Sequence, residues 1–214
     1  RREYDLAVSD FLLWLSQKDR TKVKKAARAE TLVKMGYLKR LIGELKLPLT
    51  LEWVDNFFRQ SEEKLIVFAI HKKIIEKLHE RYKKISVIVD GSVVGRKRHL
   101  AVQKFQEDPR TKLFIGNIKA AGVGLNLTAA STVAFLEIGW TPGECVQAED
   151  RPHRIGKKTV VSIYYLIAKD TLEEWLMEHI QKKQKVSSKI LDGGKIEGDL
   201  NIFDLLLQKL QKKG

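Results

Sequence analysis

The sequence predicts an α/β fold: a parallel sheet with helices on both faces, preceded and followed by further helices. Three observations carry that expectation. Leu65-Ile66-Val67-Phe68-Ala69-Ile70 is a continuous apolar, β-branched run, the pattern of a strand buried on both faces. Ile85 to Val89 repeats the pattern and is closed by Asp90-Gly91. Stretches of helical apolar spacing follow each run, and strands alternating with helices argue for parallel crossovers.

Residues 1–60 show no strand pattern and are expected to be helical. Phe11-Leu12-Leu13-Trp14-Leu15 is an apolar cluster, followed by a polar, basic stretch from Ser16 to Arg28. Leu32, Met35, Leu38, Leu41, Ile42 and Leu45 then recur at helical spacing and give one stripe to bury. Leu47-Pro48 is expected to end this helix, because the residue before a proline is pushed out of the α region. Glu52 to Gln60 reads as a separate helix whose Trp53, Val54, Phe57 and Phe58 suit core packing.

Beyond Lys64 the alternation sets in. His71 to Lys84 is expected to be helical, as is Arg96 to Gln106 with Leu100, Val102 and Phe105 facing inward. Short strands are expected at Lys112–Ile115, Thr132–Leu136 and Val160–Ile167. A capping box, either Asp170 with Glu173 or Thr171 with Glu174, opens a helix that runs to about Ile190. Its apolar side carries Leu172, Trp175, Leu176, Met177 and Ile180, and Asp192-Gly193-Gly194 breaks it. Ile202 to Leu210 is a last short amphipathic helix. The expected division is a helical linker over 1–60, the α/β lobe over 61–170 and a helical extension over 171–214.

A chain of 214 residues, 43% hydrophobic and 31% charged, can bury a full core. Its formal net charge of +13 is unusual, and the basic residues recur along the whole length. That balance favours a polyanionic partner, nucleic acid before an anionic membrane; a merely solvated basic surface is the alternative. The one cysteine, Cys145, excludes an internal disulfide and a cysteine-rich zinc site. The five histidines are scattered without metal-ligand spacing, so no metal site of the chain's own is expected. No apolar run approaches the ~20 residues of a membrane span, and an intracellular protein (cytoplasm, nucleoid or nucleus) without membrane contact is expected. The chain begins at Arg1 rather than Met and is expected to be a piece of something larger.

The densest chemistry lies in Gln147-Ala148-Glu149-Asp150-Arg151-Pro152-His153-Arg154-Ile155-Gly156. Read as a helix, Gln147, Arg151 and Arg154 leave one face. Two guanidiniums on one face repel, so an anion is expected between or before them, and arginine suits bidentate grasp of phosphate. An Arg–carboxylate network with Glu149 and Asp150 is the plainer alternative.

A second segment, Asn117 to Thr128, follows a strand directly and contains Gly122-Val123-Gly124. In a parallel sheet it must lie at the carboxyl edge, where ligands gather. Its glycines let backbone approach an anion. Alone such glycines are more often just a turn; the Gln/Arg/Arg face about twenty residues later makes the pair more specific. No phosphate-cradling GxxxxGK[ST] loop exists: Gly156-Lys157-Lys158-Thr159 has Arg151 where the first glycine would stand. The chain offers arginines for a triphosphate without a cradle, half of a site.

Ala120-Ala121-Gly122-Val123-Gly124-Leu125-Asn126-Leu127-Thr128, Trp140-Thr141-Pro142-Gly143 and the Gln147–Gly156 segment together resemble the second RecA-like lobe of SNF2-type (superfamily 2) helicase-like ATPases. Leu65–Lys72 resembles that lobe's opening motif, and Asp90-Gly91-Ser92 with Arg96 and Phe105 resembles the next. The wording is most similar to the annealing-helicase (HARP-like) branch and its bacterial or phage relatives. The resemblance spans Lys64 to Ile190 and covers residues 1–60 only loosely, as an inter-lobe linker.

The resemblance implies a mechanism. The N-terminal RecA-like lobe of the same protein would hold ATP with Mg2+, and this lobe would close over it. Arg154, and with it Arg151, would act as catalytic arginine fingers, a device worth about 10³–10⁵ in rate. Gln147 would sit at the nucleotide interface, and Gly122 and Gly124 would couple it to the nucleic-acid groove. Asn117, Lys119 and Thr128 are candidates for phosphate contacts along one strand of double-stranded DNA. Trp140 either touches DNA or packs its loop, with packing preferred. Three departures stand out: Asn117 replaces a usual Ser or Thr, Lys157 a common Gln, and Pro152 is expected to end or kink the finger helix near Arg151.

The reading implied is the C-terminal motor lobe of an ATP-dependent double-stranded-DNA translocase or remodeller, monomeric and inactive by itself. Two alternatives remain: a superfamily 2 lobe acting on RNA or unwinding its substrate, and a non-catalytic basic module.

Overall fold

Five short strands pair in the order β2-β3-β1-β4-β5, and every pairing is parallel. They are β1 Leu65–Ala69, β2 Ser86–Val89, β3 Leu113–Asn117, β4 Thr132–Phe135 and β5 Ser162–Tyr165. The helices are α1 Arg2–Ser16, α2 Lys25–Gln60, α3 Lys72–Arg81, α4 Gly95–Glu107, α5 Ile118–Ala121 and, after β5, α6 Leu172–Leu191. The computed structural model describes residues 1–16, 25–121, 125–140, 144–145, 148 and 160–191. The expected helix over Ile202–Leu210 and the predicted break near Pro152 lie outside them.

The predicted α/β architecture is present, and the reason is in the side chains. Strand β1 is buried at all five positions, so its alternate residues feed two different layers. Leu65, Val67 and Ala69 join Leu113, Ile115 and Ala134 in a core with Ile74, Ile75 and Leu78 of α3 and Leu47 and Val54 of α2. On the alternate positions an aromatic layer forms. Phe68 meets Phe135 at 5.4 Å, Phe114 meets Phe105 of α4 at 5.4 Å, and Phe135 stacks on Tyr165 at 4.7 Å. Phe68, Phe105, Phe114 and Phe135 are fully buried, each contributing about 1.5–3 kcal/mol. Trp53 packs on Phe57 and Tyr164, as expected of a core aromatic.

The chain divides into two compact units, Lys46–Ile167 and Arg1–Leu45 with the chain from Ala168 onward. In the latter, Tyr4, Phe11, Met35, Leu38, Leu41, Ile42, Leu172, Leu176, Met177 and Ile180 are buried. The start of α6 is well capped. Thr171 Oγ1 accepts from Glu173 N at 3.2 Å, Tyr4 Oη accepts from Leu172 N at 2.9 Å, and Glu174 accepts from Asp170 N at 2.8 Å. Of the two boxes expected, the Thr171–Glu174 pair is the nearer, with Glu174 reaching one residue further back. No helix among the described residues is long and apolar enough to cross a membrane.

Three expectations fail. Helix α2 does not end at Leu47-Pro48 but continues through Pro48 to Gln60. A helix-interior proline costs about 3 kcal/mol, but Leu47 and Val54 are buried on either side of it, with Leu51, Trp53, Phe57 and Phe58 packed against the same core. Tertiary burial overrides the local break. Leu100 does not face inward but is half exposed, while Phe105 alone of α4 is fully buried. Leu32 and Leu45 also stand exposed, so the α2 stripe is narrower than its spacing suggests.

Candidate nucleic-acid interface at the carboxyl edge of the sheet

All five strands are parallel, so their carboxyl ends share one edge, and the loops leaving them carry the polar residues. Glu137, two residues beyond β4, is fully buried. Its Oε2 accepts from Ile70 N at 2.8 Å and His71 N at 2.9 Å, and its Oε1 meets His71 Nδ1 at 2.5 Å. Burial pushes this carboxyl up, but the His71 hydrogen bond and charge and the two backbone donors hold it below the ordinary glutamate value. The donors are the amides that open α3, which runs from Lys72.

Asn117, the last residue of β3, joins the same network. Its Nδ2 donates to Ile70 O at 2.7 Å, and its Oδ1 accepts from Lys119 N at 3.0 Å and Ala120 N at 3.2 Å. One side chain therefore ties β3 to the end of β1 and caps the short α5. At the end of β2, Asp90 accepts from Ser92 N at 2.9 Å and Ser92 Oγ at 2.6 Å, and the Ser92 hydroxyl leads in holding its carboxyl low.

A second carboxylate organises the loop after β4. Glu144 Oε2 accepts from Trp140 N at 2.8 Å, and Oε1 lies 3.8 Å from Lys119 Nζ. A Cβ at Gly139 would fall 2.5 Å from that Oε2, so only glycine admits Glu144 there. Across the sheet edge, Gln106 Nε2 donates to Thr128 Oγ1 at 3.0 Å, its Oε1 accepts from Ala129 N at 2.7 Å, and Arg98 donates to Ala120 O at 2.7 Å.

Asn117 and Lys119 thus lie together at the carboxyl edge, with Lys119 exposed and linked through Glu144 to the Trp140 loop; Thr128 is held on α4. Arg151, Arg154, Gln147, Gly122 and Gly124 lie outside the described residues; Cys145 and Ala148, on either side of Gln147 in sequence, are fully buried. Sequence reasoning missed Glu137, Glu144, Arg98 and Gln106 as parts of this edge. Glu137 carried a legible signal, an acid directly after an apolar strand. The partners of the others give no signal in sequence spacing.

Comparison with known proteins fits this geometry. The sequence pattern of the helicase conserved C-terminal domain matches residues 49–156. Human "DNA annealing helicase and endonuclease ZRANB3" is 36% identical over 183 residues, covering 80% of this chain and 17% of that protein. The Xenopus tropicalis "SWI/SNF-related matrix-associated actin-dependent regulator of chromatin subfamily A-like protein 1" is 37% identical over 147 residues, 67% of this chain and 16% of that protein. The chain therefore spans about a sixth of the length of these relatives. The "Sulfolobus solfataricus SWI2/SNF2 ATPase core in complex with dsDNA" shares the fold, with a TM-score of 0.69 at 21% identity over 90% of this chain and 43% of that one. The chain belongs to the helicase conserved C-terminal domain family and is the RecA-like C-terminal lobe of an SNF2-type helicase-like protein.

Proposed function

We propose that this lobe is one half of an ATP-driven motor that moves on double-stranded DNA. The observation that carries the reading is the Gln147, Arg151 and Arg154 spacing, within a chain 36% identical over 183 residues to a protein named a DNA annealing helicase. In this reading Arg154 and Arg151 reach the γ-phosphate of ATP from outside its cradle and stabilise charge as the phosphoryl group transfers. Gln147 orients at the same interface. Gly122 and Gly124 link it to DNA, and Asn117, Lys119, Thr128 and Trp140 lie along the strand.

A motor of this kind reads backbone rather than bases, and the net charge of +13 suits that task. Among the described residues no three His, Cys, Asp or Glu side chains could hold a metal ion. The strand-end acids Asp90, Glu137 and Glu144 are each engaged by donors of this chain. These residues do not fit a magnesium site, and the reading assigns ATP with Mg2+ mainly to the companion N-terminal lobe. DNA as substrate implies a nucleoid or nuclear protein.

The test is Arg154→Ala in the longer protein that carries this lobe. Hydrolysis should be abolished while ATP binding survives; normal turnover would refute the finger assignment. Stimulation of the wild-type ATPase by duplex DNA, rather than by single strands or RNA, separates the reading from an RNA or unwinding motor. The isolated lobe should show negligible hydrolysis.

A further inference from the structure

One helix holds both ends of the glycine-bearing loop. Arg98 and Gln106 are two turns apart on α4 and share a face. Arg98 reaches the carbonyl of Ala120, two residues before Gly122, at 2.7 Å. Gln106 grips the far side twice, donating to Thr128 Oγ1 at 3.0 Å and accepting from Ala129 N at 2.7 Å. Between these holds, α4 and the loop enclose an open groove of about 570 Å3 lined by Arg98, His99, Gln106, Leu125 and Asn126.

Asn126 Oδ1 is buried and accepts no hydrogen bond among the described residues. The three bonds from Arg98 and Gln106 hold the chain on either side of it.

We infer that Arg98 and Gln106 are positioning residues that clasp the chain on either side of the glycines, at Ala120 and at Thr128 and Ala129, to α4, and so fix the flanks from which the glycine segment meets nucleic acid. The inference rests on the motor reading for its functional half only. Neither residue needs to touch DNA or nucleotide. Their effect passes through the backbone at Ala120 and Ala129.

Two substitutions separate a clasp from a bulk structural role. Gln106→Ala removes both far-side bonds. Gln106→Glu keeps them, because a carboxylate accepts from Ala129 N and from the Thr128 hydroxyl. In this chain, amide hydrogen exchange across 118–129 should speed up by about thirtyfold in Gln106→Ala, the loss of roughly two ordinary bonds. It should stay near wild type in Gln106→Glu. Arg98→Ala should loosen the near side at Ala121–Gly122.

In the longer protein, Gln106→Ala should cut the DNA-stimulated kcat about tenfold while leaving KM for ATP unchanged. Gln106→Glu should restore it. Unchanged exchange in Gln106→Ala, or equal behaviour of Ala and Glu variants, overturns the clasp. If wild-type protein shows no DNA-stimulated turnover, the motor reading fails, and the exchange result still decides the clasp.

Discussion

His71 Nδ1 stands 2.5 Å from Glu137 Oε1 where β1 and β4 both end, 66 residues apart in sequence. Because the Glu137 carboxyl is held low, it accepts, and His71 Nδ1 carries the shared proton. A depressed carboxyl contributes stability that is fully present above the ordinary glutamate value of 4.5 and lost as pH falls through the folded value. In Glu137→Gln the amide oxygen can still accept from Ile70 N and His71 N, but the NH2 faces His71 Nδ1, which must then give up its proton and accept. The substitution should cost about 1 kcal/mol at neutral pH and should flatten the loss of stability below pH 4.5. Denaturant titrations from pH 3 to 7 check both; a variant as acid-labile as wild type would contradict the assignment.

Asn117 closes the same edge from β3, with a donor on Ile70 O and an acceptor for two α5 amides. Asn117→Ser, the residue type usual in the resembling family, is too short to reach both sides. It should keep the cap and lose the link to Ile70 O, costing about 1 kcal/mol. Asn117→Ala loses both and should cost about 2 kcal/mol or more. Equal stability of the two variants would show that the β3–β1 link alone matters.

Tyr4 Oη accepts from Leu172 N, and burial leads in pushing its pKa up from 10.0 to about 12. Below pH 10 the hydroxyl is neutral in folded and unfolded chains alike. Between pH 10 and 12 the unfolded chain ionises first, so stability falls as pH rises through that window. Tyr4→Phe should cost about 1 kcal/mol at neutral pH and should be less sensitive to alkali above pH 10. Thermal unfolding at pH 7 and pH 11 measures the two effects separately.

The sheet was legible because the inner strands β1, β3 and β4 are buried on both faces and leave apolar runs, and all five strands, the more exposed edge strand β5 included, lie within a residue or two of the expected positions. Helix α2 was not, because the local rule for Leu47-Pro48 takes no account of Leu47 and Val54 packing on a core assembled from distant strands. The site divides the same way. Glycine and asparagine after a strand mark the carboxyl edge, so the position of Asn117 and Lys119 there was legible. Their partners were not, because Asn117 bonds across 47 residues and Gln106 across 22, and no local pattern reports such a distance.

DNA binding by this lobe should be weak and governed by salt. Each phosphate neutralised releases counterions and adds about −0.9 to the slope of log affinity against log salt. Three phosphate contacts would lower affinity by about 40-fold between 50 and 200 mM salt. Lys119 is exposed, with its ammonium 3.8 Å from Glu144, a spacing too loose to prevent it from turning to a phosphate. Lys119→Ala should therefore reduce the slope by about one and weaken binding to all duplex sequences alike. Fluorescence anisotropy with labelled duplexes of different sequence measures both. A Lys119→Ala slope equal to wild type would remove Lys119 from the interface, and strong sequence preference would contradict backbone reading.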